Sequence, residues 1–420
     1  MKVLLINTFE TKGGAAVACK RLAIALQKQG AEVTMLVRDK TTSDLFVSSV
    51  EVSPFHQFYS RVTFLLERIQ IYLTNRFNKK NLFTISTASI GFKIHTSILF
   101  QEADIIHLHW INQGLLSIRE IKELASLGKP IVWTMHDMWP MTGICHHSGE
   151  CTRFMQNCGN CKFLTKPSLH DLSFRVFKKK RDAVCNRNIS YVACSQWLRK
   201  KTEGSQLLTG NQMTNIPNPI NTDFFVPGDK IQARKDLGLP KGKKLILFGA
   251  AIVSDKKKGI DYLIQATHLL TDLKDNVELV YFGQVKEELA GTFGLNTHPL
   301  GYMSDMDTIA KMYQAVDCFV TPSLEENLPN MIMEAMSCGV PCVGFETGGI
   351  PEMITHQKTG YVAQYKSAED LALGIRTILA KGDDMSFNEA ARAFVLANYT
   401  ESIIAEQYLR LYNTIDKNAK

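Results

Sequence analysis

The chain has 420 residues, 45% apolar and 21% charged. That excludes both a disordered polyelectrolyte and a single ordinary core, and it fits two domains of about 200 residues each. No run of about 18 apolar residues occurs, which argues against a bilayer-spanning helix. Turn residues follow the short apolar start "KVLLIN" too soon for a signal peptide, so a cytoplasmic protein is expected. The net charge of +7 hides an asymmetry: residues 1–217 carry 28 Lys+Arg against 15 Asp+Glu, a balance of +13, and the remainder 20 against 26, a balance of −6. Either the first half meets an anionic partner, or surface charge is unevenly spread.

Lys2–Asn7 is a continuous apolar run closed by Asn and reads as a strand buried on both faces. A Gly-Gly loop at Gly13 and Gly14 opens a helix with Ala16, Cys19, Leu22, Ala23 and Leu26 on one face and Gly30 as its stop. Ala31–Val37 is the next strand. The unit is βαβ and predicts a parallel sheet. Residues 50–100 break the pattern. Phe55, Phe58, Tyr59, Phe64, Tyr72 and Phe77 interleave with Arg61, Arg68, Arg76, Lys79 and Lys80, and Phe58–Phe77 predicts an amphipathic helix with a basic rim. Such a helix either lies on an anionic membrane surface or packs as an insertion on its own domain.

The alternation resumes with strands at "ADIIHLHW", "PIVWTMHD" and "ISYVACS" and a helix at "SIREIKELASLG". Prolines in Asn215–Pro227 mark a boundary. Beyond it, "KLILFGA", "VELVYFG", "CFVTPS" and "PCVGF" predict strands. "GIDYLIQATHLLTDL", "MDTIAKMYQAV" and "MIMEAMSCG" predict helices, and Thr400–Ile415 a last amphipathic one. The expected fold is α/β, two doubly wound domains in tandem, with ligands at the carboxyl ends of the strands.

Within a loop at residues 143–163, Cys145, Cys151, Cys158 and Cys161 follow the spacing Cys-x5-Cys-x6-Cys-x2-Cys beside His146 and His147. In a cytosolic chain this favours a structural zinc ion held by the four thiolates. A redox pair or unligated thiols are the alternatives. The basic runs Phe174–Arg187 and Leu198–Lys201 come with no nucleic-acid-reading module, so no nucleic-acid partner is expected.

Glu326 and Glu334 flank the predicted start of the "MIMEAMSCG" helix. A helix N-terminus suits a diphosphate, and carboxylates beside it can accept hydrogen bonds from sugar hydroxyls. The surrounding "PSLEENLPNMIMEAMSCGVPCVGFETGGIPEMI" closely resembles the Glu-x7-Glu region of retaining glycosyltransferases of family 4, which have the GT-B fold. "NIPNPINTDFF", "KKKGIDYLIQA", "GYMSDMDTIAKMYQAVDCFVTPS", "KGGAAVACKRLA" and "TMHD" resemble further segments in the family's order, so the resemblance covers nearly the whole chain.

The resemblance implies two Rossmann-like domains facing a cleft. Residues 1–217 with 403–420 would bind the acceptor, and residues 218–402 a nucleotide-sugar donor. It implies that Glu326 lies by the donor sugar, that Lys258 neutralises the diphosphate, and that His136 is aimed at the sugar. Glu334 would hold the ribose, Gly301, Tyr302 and Met303 would line the base pocket, and the backbone around Leu328, Asn330 and Met331 would meet sugar and diphosphate. Gly13 and Gly14 would pack near phosphate and acceptor.

The implied chemistry needs no divalent metal. The implied acceptor is a glycan or lipid-linked saccharide, which a basic face resting on anionic lipid would present. A sugar-nucleotide epimerase, or a membrane- or nucleic-acid-binding protein without catalysis, are the competing readings. Two departures stand out: Asn-Leu-Pro replaces the family's frequent Gly-Phe-Gly, so Pro329 lacks an N–H, and the position of a frequent diphosphate Arg holds Ala250 or Ala251.

Overall fold

The computed structural model describes residues 1–285, 289, 291–381 and 384–419, the last three by their backbone alone. The chain divides into two compact units, Met1–Pro219 with Ser402–Lys420, and Ile220–Glu401; Lys420 itself lies outside the described residues.

The first unit contains β1 (Lys2–Phe9), α1 (Gly14–Lys28), β2 (Glu32–Asp39), β3 (Val47–Ser49), α2 (Pro54–Thr74), α3 (Ile98–Glu102), β4 (Ile105–Leu108), α4 (Ile118–Ser126), β5 (Ile131–Met135), α5 (Leu172–Val184), β6 (Ile189–Ala193), α6 (Gln196–Thr202) and β7 (Gln212–Asn215). Its seven strands lie in the order β3-β2-β1-β4-β5-β6-β7, with every pairing parallel. Val3–Ile6 of β1 are all buried, which is why the sequence shows a run instead of an alternation. Leu4 and Ile6 pack in one layer with Ile121 and Val176. Val3 and Leu5 pack in the other with Leu22 and Leu26, and with Tyr408 and Tyr412 of the last helix.

The second unit contains α7 (Lys230–Asp236), β8 (Lys244–Ile252), α8 (Ile260–His268), β9 (Val277–Gln284), β10 (Thr297–Pro299), α9 (Met306–Ala315), β11 (Cys318–Thr321), α10 (Asn330–Ser337), β12 (Cys342–Phe345), α11 (Ile350–Met353), β13 (Gly360–Ala363), α12 (Ala368–Leu379) and α13 (Ser386–Asn398). Its six strands run β10-β9-β8-β11-β12-β13, again all parallel. The last helix, α14 (Glu401–Ala419), places Ile404, Ala405, Tyr408 and Tyr412 in the core of the first unit.

Every strand and helix read from the sequence is present. Four additional strands are short: β3, β7 and β10 have three or four residues and are partly exposed, so no apolar run announces them, and β13 is a buried run of only four residues. The basic run at Phe174–Arg187 is mostly α5, which buries Val176, Phe177 and Lys180 and keeps Lys178 and Lys179 outward. Helix α2 is capped by Ser53, whose hydroxyl accepts from the His56 amide, and buries its polar side, including Ser60, Thr63, Glu67 and Arg68.

In both sheets the chain reverses direction of growth beside the first strand, between β1 and β4 and between β8 and β11. Those are the places where loops diverge and leave a crevice. In the second unit the junction is braced by Asp317, which accepts from the Leu245 amide at 2.8 Å, from Arg234 at 2.7 Å and from Lys230 at 2.9 Å. Buried Arg234 also donates to the carbonyls of Ala315, Lys241 and Lys243. Asp317→Ala leaves this guanidinium without its counter-charge and is expected to cost about 3–5 kcal/mol. Urea unfolding should show it, and pairing Asp317→Leu with Arg234→Met should recover most of the loss.

Candidate active site

Two loops leave the carboxyl ends of β8 and β11, on either side of the reversal in the second sheet. The first carries Lys256–Lys258 in a single 3-10 turn capped by Asp255, and the second carries Glu325 and Glu326. The Lys258 ammonium meets the Glu326 carboxylate at 2.7 Å, with both side chains mostly withdrawn from solvent. The Glu326 charge raises the Lys258 pKa against the opposing effect of burial, so the lysine is firmly cationic. Lys257 pairs with Glu325 at 3.8 Å. Lys256 is 84% exposed and among the described residues pairs with Asp261, at 3.9 Å. The three lysines of the run are therefore separated by environment, and Glu325, which the sequence pattern leaves without a role, is Lys257's partner.

Close backbone approaches hold these loops. Gly259 has φ +75°, and a Cβ there would stand 1.8 Å from the Pro322 carbonyl oxygen. The Leu324 amide donates to the Lys257 carbonyl at 2.8 Å. Gly348 has φ +58°, and its Cβ would stand 1.7 Å from the Glu326 carbonyl oxygen. The Gly349 amide donates to the Asn327 carbonyl at 2.9 Å. Only glycine satisfies both the conformation and the space at these two positions.

Pro329 is the N-cap of α10, one residue before the helix proper, and its own side chain makes no capping bond. Its missing N–H therefore removes none of the helix's own amides at Asn330 and Met331, which bears on the sequence-level concern about that proline. Leu328 is buried, while Asn330 and Met331 are half-buried. Glu334 is buried on α10 and accepts from the Tyr313 hydroxyl of α9 at 2.9 Å. Gly301, Tyr302 and Met303 follow β10. Gly301 has φ +70°, its carbonyl accepts from the Gly283 amide at 2.8 Å, and the Tyr302 ring is 64% exposed.

In the first unit, Gly13 is the N-cap of α1 with φ +90° and Gly14 its first residue. The loop before them is anchored by buried Glu10. It accepts from Lys20 at 2.7 Å and from the amides of Thr41 and Thr42 at 2.6 and 2.9 Å. Burial alone would raise its pKa, but these bonds win and hold it at about 2.

His136 follows β5 and is surrounded. Its Nε2 lies 2.9 Å from His109 Nδ1 and its Nδ1 3.7 Å from the Cys194 sulfur, whose thiol lies 3.2 Å from Asn218 Oδ1. His107 contacts Tyr412 and Thr134 at 2.6 and 2.7 Å. His109 Nε2 is buried and has no hydrogen-bond partner among the described residues. The sequence reading found His136 and missed its company, although the "HLH" spacing puts His107 and His109 on one face of a strand. Burial lowers all three pKa values, that of His136 to about 4. Neighbouring Asp137 is held at about 2, where the charge of His146 and its 2.7 Å bond outweigh burial.

The zinc expectation requires correction. Cys145, Cys151, Cys158 and Cys161 do line one cavity of about 20 Å³. Yet among the described residues no group of three or more His, Cys, Asp or Glu is arranged to hold a metal ion. Burial pushes the Cys145 and Cys158 thiols up to about 12 and raises that of Cys161. His146 is occupied by Asp137 and by Ser86 at 2.9 Å. Among the described residues no helix is long and apolar enough to cross a membrane.

The chain thus forms two parallel doubly wound units, the second with paired acid and lysine loops at its strand-order reversal. Residues 12–224 match the model of Glycosyltransferase Family 4, and residues 229–394 that of Glycosyl transferases group 1. The chain belongs to glycosyltransferase family 4.

It is 30% identical over 185 residues to the N,N'-diacetylbacillosaminyl-diphospho-undecaprenol alpha-1,3-N-acetylgalactosaminyltransferase of Campylobacter jejuni, covering 44% of this chain and 48% of that one. Its fold is shared with sucrose-phosphate synthase of Thermosynechococcus elongatus, at TM-score 0.67, 18% identity and coverage of 99% and 98%. It is shared also with Anabaena HepE in complex with UDP, at TM-score 0.63, 16% identity and coverage of 99% and 100%. Both neighbours confirm the GT-B fold class. The chain spans about two-fifths to three-fifths of the length of the curated relatives it matches, for example 38%, 51% and 60% in three of them.

The histidine cluster makes a testable demand on pH. Histidine ordinarily titrates near 6.5. Below that value the unfolded chain takes up protons that the folded chain refuses. Stability is therefore present above about pH 6.5 and lost as pH falls toward 4, by up to about 1.4 kcal/mol per pH unit for each histidine. The urea midpoint is expected to fall between pH 7 and pH 5, with a shallower fall in His109→Gln. A flat midpoint over that window contradicts neutral buried histidines.

Proposed function

We propose that the chain is a retaining glycosyltransferase that moves a sugar from a UDP- or GDP-sugar to a glycan or lipid-linked saccharide, in surface polysaccharide biosynthesis. The observation that carries this reading is the Lys258–Glu326 ion pair at the strand-order reversal of the second sheet, ahead of the α10 N-terminus. A lysine held charged in a mostly buried position is poised for an anion, and a donor diphosphate would exchange places with the Glu326 carboxylate. The UDP complex of Anabaena HepE and the lipid-diphosphate substrate in the Campylobacter relative's name support the donor and acceptor classes.

In this reading the second unit binds donor and the first binds acceptor. Gly301, Tyr302 and Met303 take the base, with the exposed Tyr302 ring offering a stacking face. Glu334 takes the ribose, and the amides of Asn330 and Met331 with the Leu328 backbone meet sugar and diphosphate. Glu326 turns to the sugar once Lys258 is drawn to phosphate. Gly13 and Gly14 let the first unit's backbone come close to phosphate or acceptor. His136 donates or accepts at a sugar hydroxyl, and to do so it gives up its contact with His109 or with Cys194.

The C1–oxygen bond to the diphosphate breaks with its electron pair leaving on the diphosphate. The acceptor oxygen bonds to C1 on the same face, and its proton passes to a diphosphate oxygen. Lys258 stabilises the charge that grows on the leaving group. Lys257, on the same turn, supplies the second cation in place of the arginine that Ala250 or Ala251 displaces.

Nucleotide release that requires an added saccharide acceptor tests the reading, and release or epimerisation without acceptor contradicts it. Lys258→Ala is expected to lower kcat about 100-fold or more, Lys257→Ala less, and Lys256→Ala hardly at all. Glu334→Ala is expected to raise the donor KM with a smaller effect on kcat, since ribose contacts form in ground and transition states alike. Thermal shifts with UDP and GDP select the base.

A further inference from the structure

Helix α2 is inside out. Phe55, Phe58, Leu65, Leu66, Ile69 and Leu73 follow the i, i+3, i+4 spacing of a single stripe. In an ordinary surface helix that stripe would face the core. Here it faces outward: these side chains are 39% to 71% exposed, and Phe77, just past the helix, is 67% exposed.

The buried side is the polar one, and the hydrogen bonds say why. Residues 84–90 form a loop with little regular structure, whose backbone groups need partners. Glu67 accepts from the amides of Thr87 and Ala88 at 2.7 and 2.8 Å. Arg68 donates to the carbonyls of Leu82 and Ile85. Thr63 donates to the carbonyl of Gly114 at 3.2 Å. The polar face is committed to the protein, and the apolar stripe is left largely exposed.

The charges around the stripe are of one sign. Arg61, Arg76, Lys79 and Lys80 are exposed on or just beyond the helix, while its acid, Glu67, is turned inward and paired with Arg68 at 2.9 Å. Beside the C-terminal half of α2 opens a cavity of about 600 Å³. Gln70 lines it together with Arg119, Lys122, Arg175 and Lys179, against one carboxylate, Asp182. A second copy of the chain would bring the same cations against these. An anionic surface with an apolar interior satisfies both the stripe and its rim.

We propose that α2 lies in the plane of an anionic lipid leaflet, with its apolar stripe among the acyl chains and lipid phosphates at the basic rim and in the adjoining cavity. The inference rests on the transferase reading only in naming where a lipid-linked acceptor would be met; the surface itself is argued from α2.

The experiment is co-sedimentation of the full chain with phosphatidylcholine vesicles, with and without phosphatidylglycerol, at low and high salt. Binding is expected to the anionic vesicles and to weaken with salt. A variant combining Phe55→Ser, Phe58→Ser and Leu73→Ser is expected to bind about tenfold more weakly or worse. Arg76→Glu with Lys79→Glu and Lys80→Glu is expected to lose the preference for anionic lipid. Because all six side chains are outside the core, both variants should keep the parent's melting temperature and nucleotide-induced thermal shift.

Indifference of the parent to anionic vesicles at low salt overturns the proposal, as does equal binding by folded variants. Self-association that the serine variant abolishes assigns the stripe to a second copy and also overturns it. A nucleotide shift that persists while vesicle binding fails isolates this inference as the error. Vesicle binding without any nucleotide shift isolates the transferase reading.

Discussion

A parallel strand buried on both faces can be followed only by a crossover that returns to the start of its neighbour. That constraint sends every loop that follows a strand to the same edge of its sheet. The candidate residues obey it. Gly13 follows β1, His109 follows β4 and His136 follows β5. Lys258 follows β8, Gly301 follows β10 and Glu326 follows β11. Within each unit, residues far apart in sequence gather at one edge of that unit's own sheet because apolar runs such as Val3–Ile6 and Leu245–Phe248 admit no other connection. Where the strand order reverses, two of these loops part, and a polar pair can sit there without breaking the sheet.

The Lys258–Glu326 pair illustrates how such a position differs from a structural ion pair. Asp317 and Arg234 also form a withdrawn pair, but their remaining hydrogen-bonding capacity is spent on backbone groups of α7, β8 and α9 surroundings, including the Leu245 amide. They are locked into the fold. Lys258 makes its bond to Glu326 from a turn held by Gly259, and the acid is held from behind by Gly348. On the proposed reading the backbone stays fixed while the two side-chain ends change partners. A fixed frame around an exchangeable ion pair is what a site for a charged ligand requires, because the frame loses no order when the ligand arrives.

The alternation of strands and helices was legible because each element declares its own period, and the acid pair because helix starts and carboxylates carry recognisable chemistry. What stayed hidden depended on partners distant in sequence. Three adjacent lysines look equivalent until Glu325, Glu326 and Asp261 sort them. His136 looks solitary until β4 and β6 bring His109 and Cys194 to it. The cysteine spacing suggested a metal, yet spacing along the chain fixes neither the directions of thiols nor their protonation. Glu10, Asp137 and Lys180 are buried ionisable groups that no periodicity announces, since each answers a local backbone or side-chain need.

Helix α2 is the sharpest case of this division. Its apolar stripe was plain in the sequence, but a stripe states only which side is apolar. Which side is buried is decided by what the neighbouring segment demands. A loop that leaves its amides unpaired on the protein side draws Glu67 inward, since an unpaired buried amide costs more than an exposed leucine. Glu67 then requires Arg68 beside it, and the helix is turned by its polar residues. The stripe so exposed extends over more than four turns and is rimmed by cations. A helix turned this way is held by its hydrogen bonds, and on the proposed reading a surface that is apolar inside and negative at its edge stabilises it further.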